Sequence, residues 1–295
     1  MSAVEHLFRG RATDLGGFQV KRMLPSAAVR MVGPFIFVDH MGPAQFAAGE
    51  GIDVRPHPHI GLATVTYLFE GEFMHRDSLG NVQPIVPGDV NWMIAGRGIV
   101  HSERTPSALR SASHRAHGVQ TWVALPDAHE DAQPSFEHHP ASTLPRMSLE
   151  RAAVTVIAGE AFGARSPVGV LSPTLYCAVS LAAGASLAVA PEHDERAVYV
   201  IEGLVAIDGQ SVEAGAMAVL TSGSEISLRA SADTRLMLLG GASVGERLIN
   251  WNFVASSRAR IGEARADWSR YGDPEARGRF GAVPGETEFI ALPAN

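Results

Sequence analysis

The chain of 295 residues has one cysteine, Cys177, and one lysine, Lys21. A lone cysteine excludes an intramolecular disulfide and gives no sign of an oxidising compartment. Within Leu175-Tyr-Cys-Ala-Val179 it reads as a small buried hydrophobe. The other basic residues are arginine, a bias that, with abundant alanine, fits GC-rich bacterial coding. No stretch approaches the ~20 apolar residues of a membrane-spanning helix. The opening Met-Ser-Ala-Val-Glu-His-Leu-Phe-Arg has neither an uninterrupted apolar run nor a cleavage pattern. A cytoplasmic protein without membrane attachment is therefore expected. The net charge of −7 supplies no attraction for nucleic acid. There is no P-loop, no dinucleotide fingerprint and no Ser-His-Asp order.

Short apolar runs punctuated by Gly and Pro dominate what is present, and 46% of residues are hydrophobic, enough for a substantial core. Phe35–Val38, Ala63–Phe69, Val90–Ile94 and Val119–Leu125 read as strands. So do Val154–Ile157, Thr174–Leu181, Ala197–Ile201, Val205–Ile207, Met217–Leu220 and Arg235–Leu239. Turn signals such as Leu79-Gly-Asn81, Pro87-Gly-Asp89 and Asp208-Gly209 separate them, which predicts an all-β sandwich or barrel. Helix signals are sparse until Ser256–Trp268, where a serine cap can open a helix carrying Ile261, Ala264 and Trp268 on one face. Tyr67-Leu-Phe-Glu-Gly71 is echoed by Tyr199-Val-Ile-Glu-Gly203, so one β-unit occurs twice. The polar stretch Asp127–Pro145, with His138 and His139, reads as a solvated linker. It predicts domains at 1–130 and 131–295.

Two i, i+2 pairs carry the chemistry: His57/His59 in Arg55-Pro-His-Pro-His-Ile-Gly61, and His101/Glu103 in Ala95-Gly-Arg-Gly-Ile-Val-His-Ser-Glu103. Alternate residues of a strand share a face, so each pair can aim two ligands one way. Three imidazoles and a carboxylate suit a divalent transition metal with open positions, and fit octahedral Fe(II) or Mn(II) better than a closed zinc site. An HxH strand, a Gly-ended hairpin, a Pro-Gly turn and a last His is similar to the cupin arrangement, a small jelly roll with ligands at its mouth. In the second unit His57 and His59 fall opposite Val189 and Pro191, and Glu192–Glu195 reads as a charged rim. One metal-binding cupin domain (1–130) and one degenerate cupin domain (131–295) follow.

The combined set resembles the pirin family of bicupins. It comprises Pro34-Phe-Ile-Phe-Val-Asp-His-Met-Gly-Pro43, His57-Pro-His59, Thr64-Val-Thr-Tyr-Leu-Phe-Glu-Gly71, His75-Arg-Asp-Ser-Leu-Gly80, Pro87-Gly-Asp-Val-Asn-Trp-Met93, Ala95–Glu103 and Val283-Pro-Gly-Glu-Thr-Glu-Phe-Ile290. The resemblance implies two jelly-roll β-barrels and an iron site held by His57, His59, His101 and Glu103. It also implies quercetin 2,3-dioxygenase chemistry or a regulatory role through protein contacts. Fe(II) leads, with Mn, Ni, Co, Cu or Zn as alternatives. A small aromatic flavonol would be the substrate, with Glu103 as both ligand and general base. A metal- or redox-responsive regulator without turnover, reading a protein partner, is the alternative. Relatives commonly carry Arg-Gly-Phe-Glu where this chain has Ile60-Gly-Leu-Ala63, a change expected at the rim. Phe35, Phe37, Trp92 and Met93 are candidate mouth residues. Asp39-His40 reads either as a brace behind a ligand or as a strand-end polar pair, His75–Ser78 as a hydrogen-bonded turn, and Arg97 as a surface arginine.

Overall fold

Each apolar run named above falls on a strand of the computed structural model, Val119–Leu125 overrunning its strand by one residue; the structure describes residues 2–14 and 18–293. The burial patterns explain the legibility. Ser186–Val189 and Ile226–Ala230 alternate buried and exposed side chains, as half-buried strands do. Val90–Ile94 and Ala216–Leu220 are buried on both faces and so read as unbroken apolar runs. The repeat is structural too: Leu62–Glu70 and Glu195–Glu202 each run into a glycine at positive φ, Gly71 (90°) and Gly203 (87°).

The architecture is two cupin-type β domains with a short helix, Arg258–Trp268. They form two compact units that interleave along the chain. One comprises residues 1–13, 21–39 and 142–244, the other residues 14–20, 40–141 and 245–295. The contiguous division at 130/131 expected from sequence is therefore redrawn. Val4–Arg9 pairs antiparallel with Ala216–Leu220, which places the first strand in the unit that holds residues 142–244. The expected linker is corrected as well. Ser135–His139 pairs with Val90–Ile94, and His138 Nδ1 lies 2.7 Å from Asn91 Oδ1. The stretch is polar because it is an outer strand of its sheet, half-buried throughout.

In the first unit, Val4–Arg9, Ala216–Leu220, Glu195–Glu202, Thr234–Gly241, Thr174–Leu181, Ala152–Ala161 and Arg146–Leu149 follow one another across a sheet. A second sheet of four strands completes the unit, and Val154, Cys177, Val198, Leu228 and Leu238 pack in its core. Burial raises the Cys177 thiol pKa, in keeping with an inert packing residue.

In the second unit, Leu62–Glu70 lies between Val90–Ile94 and His114–Ala124. A four-stranded sheet is ordered Asp53–His59, Ile99–Arg104, Phe73–Asp77, Val82–Ile85. Residues 245–293 complete this unit. Ser257 caps the helix through its hydroxyl, which accepts from the Arg260 N–H. Ile261, Ala264 and Trp268 point inward, as their spacing predicts, and join Ile60, Val100, Phe253 and Phe280 in one cluster. The following segment is pinned to the sheet. Ile290 N–H donates to Pro56 O (2.8 Å), and the Glu286 carboxylate accepts from Ser102 Oγ (2.8 Å) and from Arg104 Nη2 (2.7 Å). Among the described residues, no helix is long and apolar enough to cross a membrane.

Candidate metal centre

Asp53–His59 and Ile99–Arg104 pair antiparallel, with His101 directly opposite His57 and Ile99 opposite His59. Beyond His101 the register slips: Glu103 faces Val54, so the histidine strand carries one extra residue between Val54 and His57. That bulge contains Pro56, which has no N–H to leave unpaired. The result is a tight group in which ring nitrogens of His57, His59 and His101 lie within 4.8 Å of one another, all three side chains buried. The ring centroids of His57 and His101 are 4.4 Å apart.

Each imidazole is oriented through its Nδ1. His57 Nδ1–H donates to the Arg55 carbonyl (2.9 Å) and His59 Nδ1–H to the Asn252 carbonyl (3.0 Å). His101 Nδ1 lies 3.4 Å from His75 Nδ1, and His75 Nε2 lies 3.1 Å from Asp77 Oδ2. A carbonyl beside Nδ1 fixes the proton there and leaves Nε2 as a lone pair. Burial lowers the pKa of all three imidazoles, that of His59 and His101 well below the ordinary value. The Glu103 charge partly opposes this for His57. Neutral imidazoles are the form that binds metal. His101 Nε2 is buried without a hydrogen-bond partner, an arrangement that costs free energy unless something fills it. The donor set and this orphaned nitrogen fit a transition-metal ion.

The converging set is the three histidines. Glu103 lies beside them, its oxygens held by Thr66 Oγ1 (3.0 Å) and Gln120 Nε2 (2.6 Å). Thr66 and Gln120 are register partners across Leu62–Glu70 and His114–Ala124, as are Thr64 and Trp122. Paired residues share a face. Trp122 accordingly stands edge-on to His59, with ring centroids 5.0 Å apart.

Among the candidate mouth residues, Met93 is the register partner of Thr64 and so shares the face with Thr66, whereas Trp92 pairs with Val65 on the other. Phe35 and Phe37 belong to the other compact unit, Phe35 against Tyr176 (5.1 Å) and Phe37 beneath the Arg22 guanidinium (4.4 Å). Ile60 and Ala63 are buried rather than on a rim. Ile60 packs with Phe253 and Val100, and Ala63 alternates onto the face of Val65. Asp39 takes the bidentate grip of Arg22 (2.9 and 2.7 Å) and His40 Nε2 meets His117 Nε2 at 2.8 Å, so the pair is structural. Asp77 Oδ1 does build the expected turn, accepting from the N–H groups of Leu79 and Asn81. Arg97 is exposed, and Gly96 (φ 49°) sits where a Cβ would fall 1.9 Å from the Ala132 carbonyl oxygen.

The pirin family profile matches residues 17–123, and the profile of the pirin C-terminal cupin domain matches residues 176–272. A pirin-like protein of Caulobacter vibrioides is 50% identical over 90% of this chain and 93% of its own length. The chain belongs to the pirin family. A Pseudomonas aeruginosa protein described as a candidate quercetin 2,3-dioxygenase is 39% identical over 95% of this chain and 87% of its own. The crystal structure of a quercetin 2,3-dioxygenase from Acinetobacter baumannii superposes with a TM-score of 0.90 at 36% identity, covering 98% of this chain and 95% of that one.

Within this pirin-family fold, sequence reasoning missed Thr66, Gln120, Trp122 and Asn252. The first three were discoverable in principle, because alternation along their strands places them on one face. Asn252 was not, since it reaches His59 from 193 residues away and acts through its backbone. Across the described residues, His57, His59 and His101 form the one group of three or more His, Cys, Asp or Glu side chains positioned for a metal. Glu192–Glu195 lies at least partly exposed, with Glu195 accepting from the Gly33 N–H (2.6 Å) and His193 Nε2 donating to the Glu160 carbonyl (2.8 Å).

Proposed function

We propose that this chain is an iron-dependent dioxygenase of the quercetin 2,3-dioxygenase type, which opens the central ring of a flavonol with O₂ and releases CO. The observation that carries the reading is the buried trio of neutral imidazoles, with the partnerless Nε2 of His101 among them. His57, His59 and His101 would hold Fe(II), with Glu103 as the fourth ligand. When bound, the ion supplies a Lewis acid that lowers the pKa of a flavonol hydroxyl, and a redox-active centre for O₂.

The chain's own residues do the rest. Glu103 accepts the proton of the 3-hydroxyl, a role that needs a carboxylate held still beside the substrate. Thr66 and Gln120 hold it by occupying one lone pair on each oxygen. The Trp122 edge and Met93 offer apolar surface on the same face, suited to a flat aromatic ring.

The test is anaerobic loading with Fe(II), and separately with Mn, Ni, Co, Cu and Zn, followed by quercetin and air. Coupled O₂ uptake, CO release and loss of the flavonol absorbance are expected, and Glu103→Gln should retain metal while losing turnover. Loaded protein that leaves quercetin and O₂ untouched overturns the reaction, and favours a regulator that works by contact.

A further inference from the structure

We propose that Asp77 and His75 position His101, by dictating which of its ring nitrogens carries the proton, so that Nε2 faces the ion as a bare lone pair. The proposal rests on reading His101 as a metal ligand.

Phe73–Asp77 pairs with Ile99–Arg104 so that Asp77 stands opposite His101 and His75 opposite Glu103. All three members of the chain Asp77–His75–His101 are buried. A carboxylate only accepts, so the His75 nitrogen 3.1 Å from Asp77 must be the one bearing hydrogen. With one proton on its ring, His75 then has Nδ1 as an acceptor. The 3.4 Å contact between the two Nδ1 atoms therefore requires His101 to supply the hydrogen. His101 Nε2 is left deprotonated, and it is the buried nitrogen that lacks a partner.

Two features make the arrangement a device rather than a coincidence of packing. His75 cannot readily turn over, because its ring stacks on Phe136 with centroids 4.4 Å apart and planes 18° apart. Asp77 is itself fixed by the Leu79 and Asn81 N–H groups and by the Asn81 amide, which donates to Oδ2 at 2.9 Å. The three histidines thus share one strategy. For His57 and His59 the partner is a backbone carbonyl that no substitution removes. For His101 it is a pair of side chains, so this ligand alone can be detuned from outside the ligand set. Outer partners of metal-bound histidines set the tautomer in this way.

Asp77→Asn would place an N–H where Oδ2 now faces His75. The proton order would then run backwards, leaving His101 protonated on Nε2. The experiment has two arms. In the first, ¹⁵N-histidine NMR of metal-free protein, assigned through the signals missing from His101→Ala, should place the His101 proton on Nδ1 in the wild type and on Nε2 in Asp77→Asn. In the second, Co(II) titrations with absorption spectra should show affinity lowered 10- to 100-fold and shifted d–d bands in Asp77→Asn and His75→Phe. His75→Asn, which restores an acceptor near the Nδ1 position, should recover most of the loss. His75→Phe keeps the stacking and the turn bonds of Asp77, so it carries the test if Asp77→Asn does not fold. A wild-type His101 protonated on Nε2 overturns the proposal. So do folded His75→Phe protein binding Co(II) like the wild type, and equal losses in His75→Phe and His75→Asn. Wild-type and His101→Ala proteins that bind Co(II) equally would instead overturn the metal-site reading beneath it.

Discussion

Trp268→Ala tests whether residues 245–293 are structural members of the unit that carries His57, His59 and His101. Trp268 is 1% exposed and stacks on Tyr271 with centroids 4.1 Å apart, and its indole N–H donates to the Ile290 carbonyl at 3.0 Å. Its cluster includes Ile60 and Val100, the residues adjacent to His59 and His101 in the chain. Truncating a fully buried tryptophan costs about 3–5 kcal/mol, the lost indole hydrogen bond included. With a urea slope of ~2 kcal/mol per molar, the midpoint should fall by about 2 M. The assay is selective because all four tryptophans, Trp92, Trp122, Trp251 and Trp268, lie in the unit formed by residues 14–20, 40–141 and 245–295. Tryptophan fluorescence therefore reports that unit, with three reporters left in the variant, while far-UV circular dichroism reports both. The fluorescence midpoint should drop and metal affinity fall with it. A fluorescence midpoint within ~0.2 M of the wild type would refute the placement of this segment.

Three further outcomes are expected. His101→Ala should retain the wild-type far-UV spectrum and lose metal on dialysis; full retention of metal by elemental analysis removes His101 from the ligand set. Gln120→Leu takes away the donor 2.6 Å from Glu103 and should lower stability by about 1–3 kcal/mol in urea denaturation; an unchanged midpoint means that the contact contributes nothing. Metal-free protein should lose stability as pH falls through ~6.5, because buried His57, His59 and His101 have lowered pKa values and the unfolded chain takes up protons first. Asp77 and Glu286, whose pKa values are also lowered, add a second loss only below ~4, so the two windows separate. A fluorescence midpoint that is flat between pH 7.5 and 5.5 contradicts the burial of the histidines.

The fold was legible wherever local patterning carries the information. Strands such as Val90–Ile94 and Thr174–Leu181 appear with the bounds their apolar runs predict. The helix shows the predicted buried face. The i, i+2 spacing of His57 and His59 was enough to aim both rings one way, and the order of motifs brought His101 to them. What was illegible depends on pairing between distant segments. Val4–Arg9 is short, mostly exposed and without a period-2 pattern, and nothing local says that its partner is Ala216–Leu220. Ser135–His139 reads as linker because polarity alone cannot separate an outer strand from a loop. Ile60 and Ala63 invite an electrostatic reading as replacements for charged residues, yet their role here is packing.

The carbonyl of Asn252 that orients His59 also imposes a timetable on biosynthesis. It follows that histidine by 193 residues, which at ~5–20 residues per second is roughly 10–40 s of translation. For most of that interval, once Ile99–Arg104 has followed Asp53–His59, the two histidine-bearing strands exist on the ribosome without the segment that buries Ile60 and Val100 and orients His59. An ion held by these histidines would therefore meet its finished pocket late, after residues 142–244 of the other unit have been made. A metal captured earlier, by an incomplete set of histidines, would have to survive that closure or be exchanged during it.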